Sequence, residues 1–163
     1  MLEFISAKNP RVRIILDDDG MEHIIRHFKG GIPGSKFTVD SPQHLLQMIV
    51  DSFPDSIQNA KRGKDDCKIV SVSFPFEIGN CNVVAIEDLT DEEKSSVHII
   101  WRDDVVTRFV YSKRAFPTKE CQMILHPNNH VVTVYPGELA PPLPKSLDEH
   151  DDYWDNHVFI EPL

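Results

Sequence analysis

The spacing of apolar residues changes once along this chain of 163 residues, and that change restricts the fold classes that the chain can adopt. Up to residue 53 the apolar residues recur three and four positions apart, which is typical of helices; from residue 69 they fall in short β-rich segments. The predicted helices span residues 21–28 and 41–53. The first follows an Asp-rich turn, and the second has Ser41 as its cap and Pro42 as its first residue.

The β-rich half is predicted to contain several strands joined by short polar links. The candidates are residues 69–76, 82–86, 97–102, 105–111, 121–125 and 130–135, with one earlier strand at 11–16. Tight links favour antiparallel neighbours. The expected fold is therefore α+β, with two N-terminal helices packed on a four- to six-stranded antiparallel sheet.

The last part of the chain differs in composition from the rest. Residues 137–163 hold seven acidic side chains against one basic, a net charge of −6 out of −9 for the whole chain. We therefore expect a domain over residues 1–137 and an extended, Pro-rich and then acidic tail over 138–163. Aromatic and aliphatic residues within 153–160 suggest that this part of the tail docks on the body or on a partner.

Composition excludes several classes of protein. The three cysteines lack CxxC spacing, so a disulfide framework or a Cys-rich zinc site is not expected. The first residues lack the basic and apolar regions of a signal peptide, and no apolar segment approaches the ~20 residues that span a bilayer. We expect a cytoplasmic location and no membrane partner. The acidic balance argues against a broad nucleic-acid-coating surface, but leaves room for an RNA-cleaving pocket.

A pair of histidines is the first candidate for chemistry. His23 and His27 are four residues apart, so on a helix they share a face beside the apolar stripe. Two imidazoles there could act as acid and base, bind a metal, or only border the core. A metal needs a third ligand, and the glutamate of the zincin pattern is missing, so no metal is predicted.

A loop and a strand supply candidates for binding an anion. Ser35 and Lys36 follow a Gly/Pro loop, where backbone N–H groups and a positive charge can approach phosphate; the alternative is an ordinary turn with a solvated lysine. Thr133 and Tyr135 lie on one face of a predicted strand. With Arg108 on a neighbouring strand they could hold an oxyanion, or they could be ordinary cross-strand partners.

In chain order these segments resemble the ribonuclease toxin domains of bacterial polymorphic and contact-dependent systems, in the barnase, EndoU, colicin and RelE-like superfamily. The resemblance covers residues 20–137. It is carried by His23, Arg26, His27, Ser35, Lys36, Phe37, Arg108, Thr133, Tyr135, Pro136 and Gly137.

The resemblance implies a metal-independent, cofactor-free endoribonuclease that acts on RNA. The 2′-hydroxyl attacks the adjacent phosphate and leaves a 2′,3′-cyclic product. By analogy, His23 and His27 transfer protons, with His130 as a further candidate. Lys36 or Arg108 neutralises the phosphate together with Arg26 and Ser35, and Thr133 and Tyr135 donate hydrogen bonds to it.

Two other interpretations come from the acidic charge and from the scaffold. An acidic cytoplasmic binding module of the immunity or antitoxin kind would neutralise a basic protein partner, since opposite potentials steer association. A catalytically inactive relative would retain only the fold. For a toxin-like enzyme, a cognate inhibitor is a further expected partner, and the tail of residues 145–163 could cover the site until RNA displaces it.

Overall fold

A computed structural model describes residues 1–30, 34–102, 105–139 and 151–163. Within these residues the fold is α+β and mostly sheet, with five short α-helices and thirteen strands in four sheets. The helices are α1 (Asp18–Ile24), α2 (Pro42–Ser52), α3 (Pro54–Gln58), α4 (Asp91–Ser95) and α5 (Asp151–Asn156). The strands are β1 (Leu2–Ile5), β2 (Arg13–Leu16), β3 (Lys36–Phe37), β4 (Lys61–Arg62), β5 (Lys68–Ser73), β6 (Gly79–Asn80), β7 (Val83–Ala85), β8 (His98–Arg102), β9 (Val105–Ser112), β10 (Pro117–Thr118), β11 (Glu120–Leu125), β12 (Val131–Pro136) and β13 (His157–Pro162).

The main core lies on one face of an antiparallel sheet with the order β12-β11-β5-β4. Alternate residues of β11 point into this core, so Cys121, Met123 and Leu125 are buried. Helix α2 closes the core with a stripe of four buried side chains, Leu45, Leu46, Ile49 and Val50. Burial of each stabilises the fold by about 1.5–3 kcal/mol, which explains why this helix forms where its apolar period predicts.

Helix α1 packs against β12, the edge strand of that sheet. Asp17 caps the helix by accepting the backbone N–H of Gly20 at 2.8 Å. Gly20 is required at the contact, because a Cβ there would lie 2.4 Å from the carbonyl oxygen of Val131. The helix ends at Ile24 and continues as one 3-10 turn over Ile25–His27, so the predicted helix over 21–28 is not a single α-helix.

A second four-stranded sheet has the order β7-β13-β9-β8. Its strand β13 comes from the C-terminal segment and lies antiparallel to β7 and parallel to β9. Val158 and Ile160 of β13 are buried in a second core with Val84, Leu89, Val110 and Phe116. Trp154 of α5 is also buried.

The predicted arrangement of two N-terminal helices on one sheet is therefore wrong, although the α+β class is correct. Four of the strands contain two residues each (β3, β4, β6 and β10). Two residues are too few to show the alternation of apolar and polar side chains by which a strand is predicted. The extended tail is also wrong for residues 151–162, which form α5 and β13 because pairing with β7 and β9 buries their apolar side chains. Residues 140–150, which include the proline-rich part of the predicted tail, lie outside the described residues.

None of the helices in the described ranges has both the length and the apolar character needed to cross a lipid bilayer.

Candidate functional site

His27 lies at the junction of the 3-10 turn with β3 and β12. Its ring centroid is 6.4 Å from that of Phe37 and 6.2 Å from that of Tyr135. Its Nδ1 is 2.9 Å from the carbonyl oxygen of Ser35. A carbonyl oxygen only accepts hydrogen bonds, so Nδ1 carries the proton and the neutral ring has its lone pair on Nε2.

The surroundings of His27 favour its neutral form. Burial lowers the pKa of this imidazole below its usual 6.5, and the positive charges of Lys36 and Arg26 lower it further. The hydrogen bond to Ser35 acts in the opposite direction but does not outweigh burial. At neutral pH His27 is therefore an uncharged base, with Nε2 as its basic atom.

Ser35 fixes the backbone that orients His27. Its buried hydroxyl donates to Oδ1 of Asn82 at 2.8 Å and accepts from the backbone N–H of Asn82 at 2.9 Å. The predicted role of this hydroxyl was phosphate binding, whereas in the structure both contacts tie the loop to the segment after β6. The next residue, Lys36, pairs with Asn80 of β6, and partial burial lowers the pKa of its amine.

Tyr135 and Thr133 lie on the face of β12 that is turned away from the main core. Tyr135 is opposite Gln122, and Thr133 is opposite Ile124. The buried Gln122 donates from Nε2 to the carbonyl oxygen of Gly137 at 2.9 Å, which fixes the chain just after Tyr135. Gly137 has φ +106°, and a Cβ there would lie 2.3 Å from Sγ of Cys81, so this position requires glycine.

The remaining predicted residues occupy other environments. His23 on α1 and Arg26 on the 3-10 turn are exposed. His130 binds the Asp17 carboxylate at 2.8 Å, which joins the start of β12 to the cap of α1. Arg108 lies on β9 in the second sheet, where its guanidinium donates to the carbonyl oxygen of Trp154 at 3.1 Å and pairs with Asp155 at 2.7 Å. The structure thus unites His27, Ser35, Lys36 and Tyr135, whereas Arg108, on β9, binds the C-terminal helix α5.

A cleft of about 530 Å³ begins at Lys36 and extends toward the end of β9. Lys113, Arg114 and Phe116 also line this cleft. The charge of Arg114 is already neutralised, because its guanidinium pairs with Glu93 and lies 4.5 Å from the centroid of the Phe116 ring. Lys36 and Lys113 bring two further basic side chains to the lining of this cleft.

Sequence reasoning missed a group of residues around His157. His157, at the start of β13, has Nε2 2.7 Å from a carboxylate oxygen of Glu138 and Nδ1 2.8 Å from the carbonyl oxygen of Tyr153. The Tyr153 ring stacks on His157 with centroids 4.0 Å apart and an interplanar angle of 7°. The apolar residues within 153–160 predict docking, but no local pattern predicts that His157 contacts Glu138 and Tyr153.

Across the described part of the chain, no cluster of three or more His, Cys, Asp or Glu residues is arranged to hold a metal ion. Comparisons of the chain with protein-family models, with curated proteins and with solved structures found no match.

Proposed function

We propose that the protein is an endoribonuclease that needs no metal, and that His27 is its general base. The observation that carries the proposal is the meeting of a neutral, oriented imidazole with Lys36 and Tyr135. When the 2′-hydroxyl of RNA attacks the adjacent phosphate, the reaction requires an uncharged base, a cation and a hydrogen-bond donor such as a phenol. The earlier resemblance to toxin ribonucleases supports the same chemistry.

The reaction assigns one task to each group. Nε2 of His27 accepts the 2′-hydroxyl proton, and the 2′ oxygen forms a bond to phosphorus while the bond from phosphorus to the 5′ oxygen breaks. Lys36 balances the added negative charge, and Tyr135 and Thr133 donate hydrogen bonds to the phosphate oxygens. The leaving 5′ oxygen takes a proton from an acid, for which His23 is our candidate. The products are a 2′,3′-cyclic phosphate and a 5′-hydroxyl.

Incubation with RNA in EDTA tests this proposal. The wild-type chain should cleave a single-stranded RNA and should not cleave the same oligonucleotide with 2′-deoxyribose at the cut position. His27→Ala should remove the activity. The matched control is His44→Ala, because His44 is an exposed histidine on α2 that pairs with Asp40. An active His27→Ala variant, or cleavage of the deoxy substrate, would contradict the mechanism.

A second candidate function, a binding module for a basic protein, is supported by a different surface. Strand β8 is the edge of the second sheet, and Ile99 and Trp101 on it are 63% and 67% exposed. Helix α4, which precedes it, begins with three acidic residues, Asp91, Glu92 and Glu93. Apolar edge strands bind partners, and acidic surroundings favour basic ones.

The two functions predict opposite results when the wild-type chain is compared with the Trp101→Asp variant. A binding module should leave RNA intact and bind a basic protein such as ribonuclease A, with binding abolished in Trp101→Asp. The endoribonuclease should keep full activity in Trp101→Asp, because β8 belongs to the second sheet and His27 packs against β12 and β3.

A further inference from the structure

The cleft that begins at Lys36 differs in charge from the molecule as a whole. Its lining includes three basic side chains, Lys36, Lys113 and Arg114, and among the described residues no acidic side chain lines it. The whole chain, in contrast, carries a net charge of −9. Clefts lined by one sign of charge concentrate ligands of the opposite sign, so this cleft favours an anion.

One wall of the cleft is joined to the residue that orients His27. That residue is Ser35, whose carbonyl oxygen is 2.9 Å from Nδ1 of His27 and whose hydroxyl donates to Asn82 at 2.8 Å. Both Asn82 and Lys36, the next residue along the chain, line the cleft. A strand of RNA that reacts at His27 therefore continues beside this wall.

Lys113 is held in the lining of the cleft by contacts of both its neighbours in the chain. The hydroxyl of Ser112 donates to Glu93 at 2.7 Å and accepts the backbone N–H of Arg114 at 3.1 Å. The guanidinium of Arg114 pairs with the same carboxylate. The Lys113 side chain itself is exposed, and no carboxylate of the described residues forms an ion pair with it. Its charge is therefore available to a ligand, whereas that of Arg114 is already balanced.

The size and the remaining lining of the cleft indicate which class of anion fits. Its volume of about 530 Å³ lies within the range of about 300–1,000 Å³ that is usual for small-ligand sites. Phe116, Ile160 and Pro162 supply apolar surface, and Asn80 and Asn82 have amides that donate and accept hydrogen bonds. A nucleotide combines a phosphate with an apolar ring face and a hydrogen-bonding edge, whereas inorganic phosphate would leave the apolar lining uncovered.

We propose that this cleft binds a nucleotide of the RNA strand beside the cleavage position, and that Lys113 binds the phosphate of that nucleotide. Lys36 lies where the cleft meets the reacting group, and Lys113 adds a second phosphate contact farther along the strand. The cleft thereby positions the strand at His27 without taking part in the chemistry. This inference rests on the proposed function in naming RNA as the ligand and His27 as the place of cleavage.

Lys113→Gln tests the proposal, because it removes the charge from an exposed side chain. The probes are fluorescent 2′-O-methyl RNA oligonucleotides of increasing length, starting from a dinucleotide, which have the phosphates but lack the attacking hydroxyl. For the wild-type chain, the Kd measured by anisotropy should fall about tenfold at the length that first places a phosphate at Lys113. This is the lower end of what a hydrogen bond to a charged group contributes. Lys113→Gln should lack this fall, and Lys113→Arg should retain it.

The matched control is Lys61→Gln. Lys61 is an exposed lysine on β4, at the edge of the main sheet, so this variant loses the same charge and should retain the fall in Kd. Lys113→Gln should also reduce the slope of log Kd against log salt concentration by about 0.7, the contribution of one phosphate contact on a single strand. The Tm of both variants should match that of the wild-type chain, because both side chains are exposed.

Each other outcome has a definite meaning. The proposal is overturned if Lys113→Gln shows the same dependence of Kd on length as Lys61→Gln, or if the wild-type chain binds none of the oligonucleotides. Equal losses in the two variants also overturn it, because the effect would then come from net charge alone. If the wild-type chain binds the oligonucleotides but cleaves no RNA, the proposed function fails, while the comparison of Kd values still decides whether Lys113 binds phosphate.

Discussion

Replacing Gly79 by alanine should displace Lys36 and destabilise the fold in one step. Gly79 lies on β6, directly against β3, and is buried. A Cβ at this position would lie 2.4 Å from the carbonyl oxygen of Lys36 and 3.0 Å from Cβ of Pro136. Both neighbours belong to strands that carry the candidate site, so the added methyl group pushes on the site itself.

The size of the effect follows from these distances. Backbone contacts of a Cβ below 3.0 Å are essentially not observed, so β3 must move away from β6 by at least about 0.6 Å. Overpacking of this kind costs about 1–3 kcal/mol, which lowers the Tm by about 2–12 °C for a chain of this length. A displacement near 1 Å in a catalytic group can cost about 100-fold in rate, so we expect cleavage of RNA to fall about tenfold.

Thermal unfolding followed by circular dichroism, together with RNA cleavage at saturating substrate, measures both effects. Gly30→Ala is the control, because a Cβ at position 30 meets nothing within 4 Å. This control should match the wild-type chain in both assays. A Gly79→Ala variant with a Tm within about 1 °C of Gly30→Ala would refute the packing argument.

Three further predictions concern the hydrogen bonds and charges around the fold. Ser35→Ala should lower the free energy of unfolding by about 1–3 kcal/mol in urea, because two groups of Asn82 lose their partner. Because the pKa of His27 lies below 6.5, kcat/KM should begin to fall only below that pH on acidification, and Arg26→Gln should move this fall to higher pH by removing a charge that lowers the pKa; no movement would argue against His27 as the base. Glu93→Gln should cost about 1–2 kcal/mol at pH 7. The pKa of Glu93 is lowered from 4.5 to about 2, so its stabilisation is present above pH 4.5 and is lost as the pH falls toward 2, and the difference from wild type in urea should shrink over that interval.

Part of the candidate site could be predicted because its residues are close in sequence. Ser35 and Lys36 follow a glycine turn. The carbonyl oxygen of Ser35 contacts His27, which lies only eight residues earlier in the chain. The meeting of His27 with Tyr135 came from the resemblance to a family, since no period connects residues so far apart. Arg108 illustrates the limit: a strand was predicted around it, but the sheet to which that strand belongs, and the bonds to the C-terminal helix, depend on tertiary packing.

Elements whose side chains repeat at a regular spacing could be located from the sequence alone. Helix α2, with its serine cap and apolar stripe, and strands β5, β11 and β12 formed close to their predicted positions, since neighbours a few residues apart carry that information. That residues 157–162 form a strand inside a second sheet, and that His157 binds Glu138, depends on tertiary packing. The pairing of β13 joins it to β9, fifty residues earlier in the chain, and to β7, more than seventy residues earlier. It is selected by the apolar surface that the paired strands bury, which depends on the assembled fold and leaves no local pattern in the sequence.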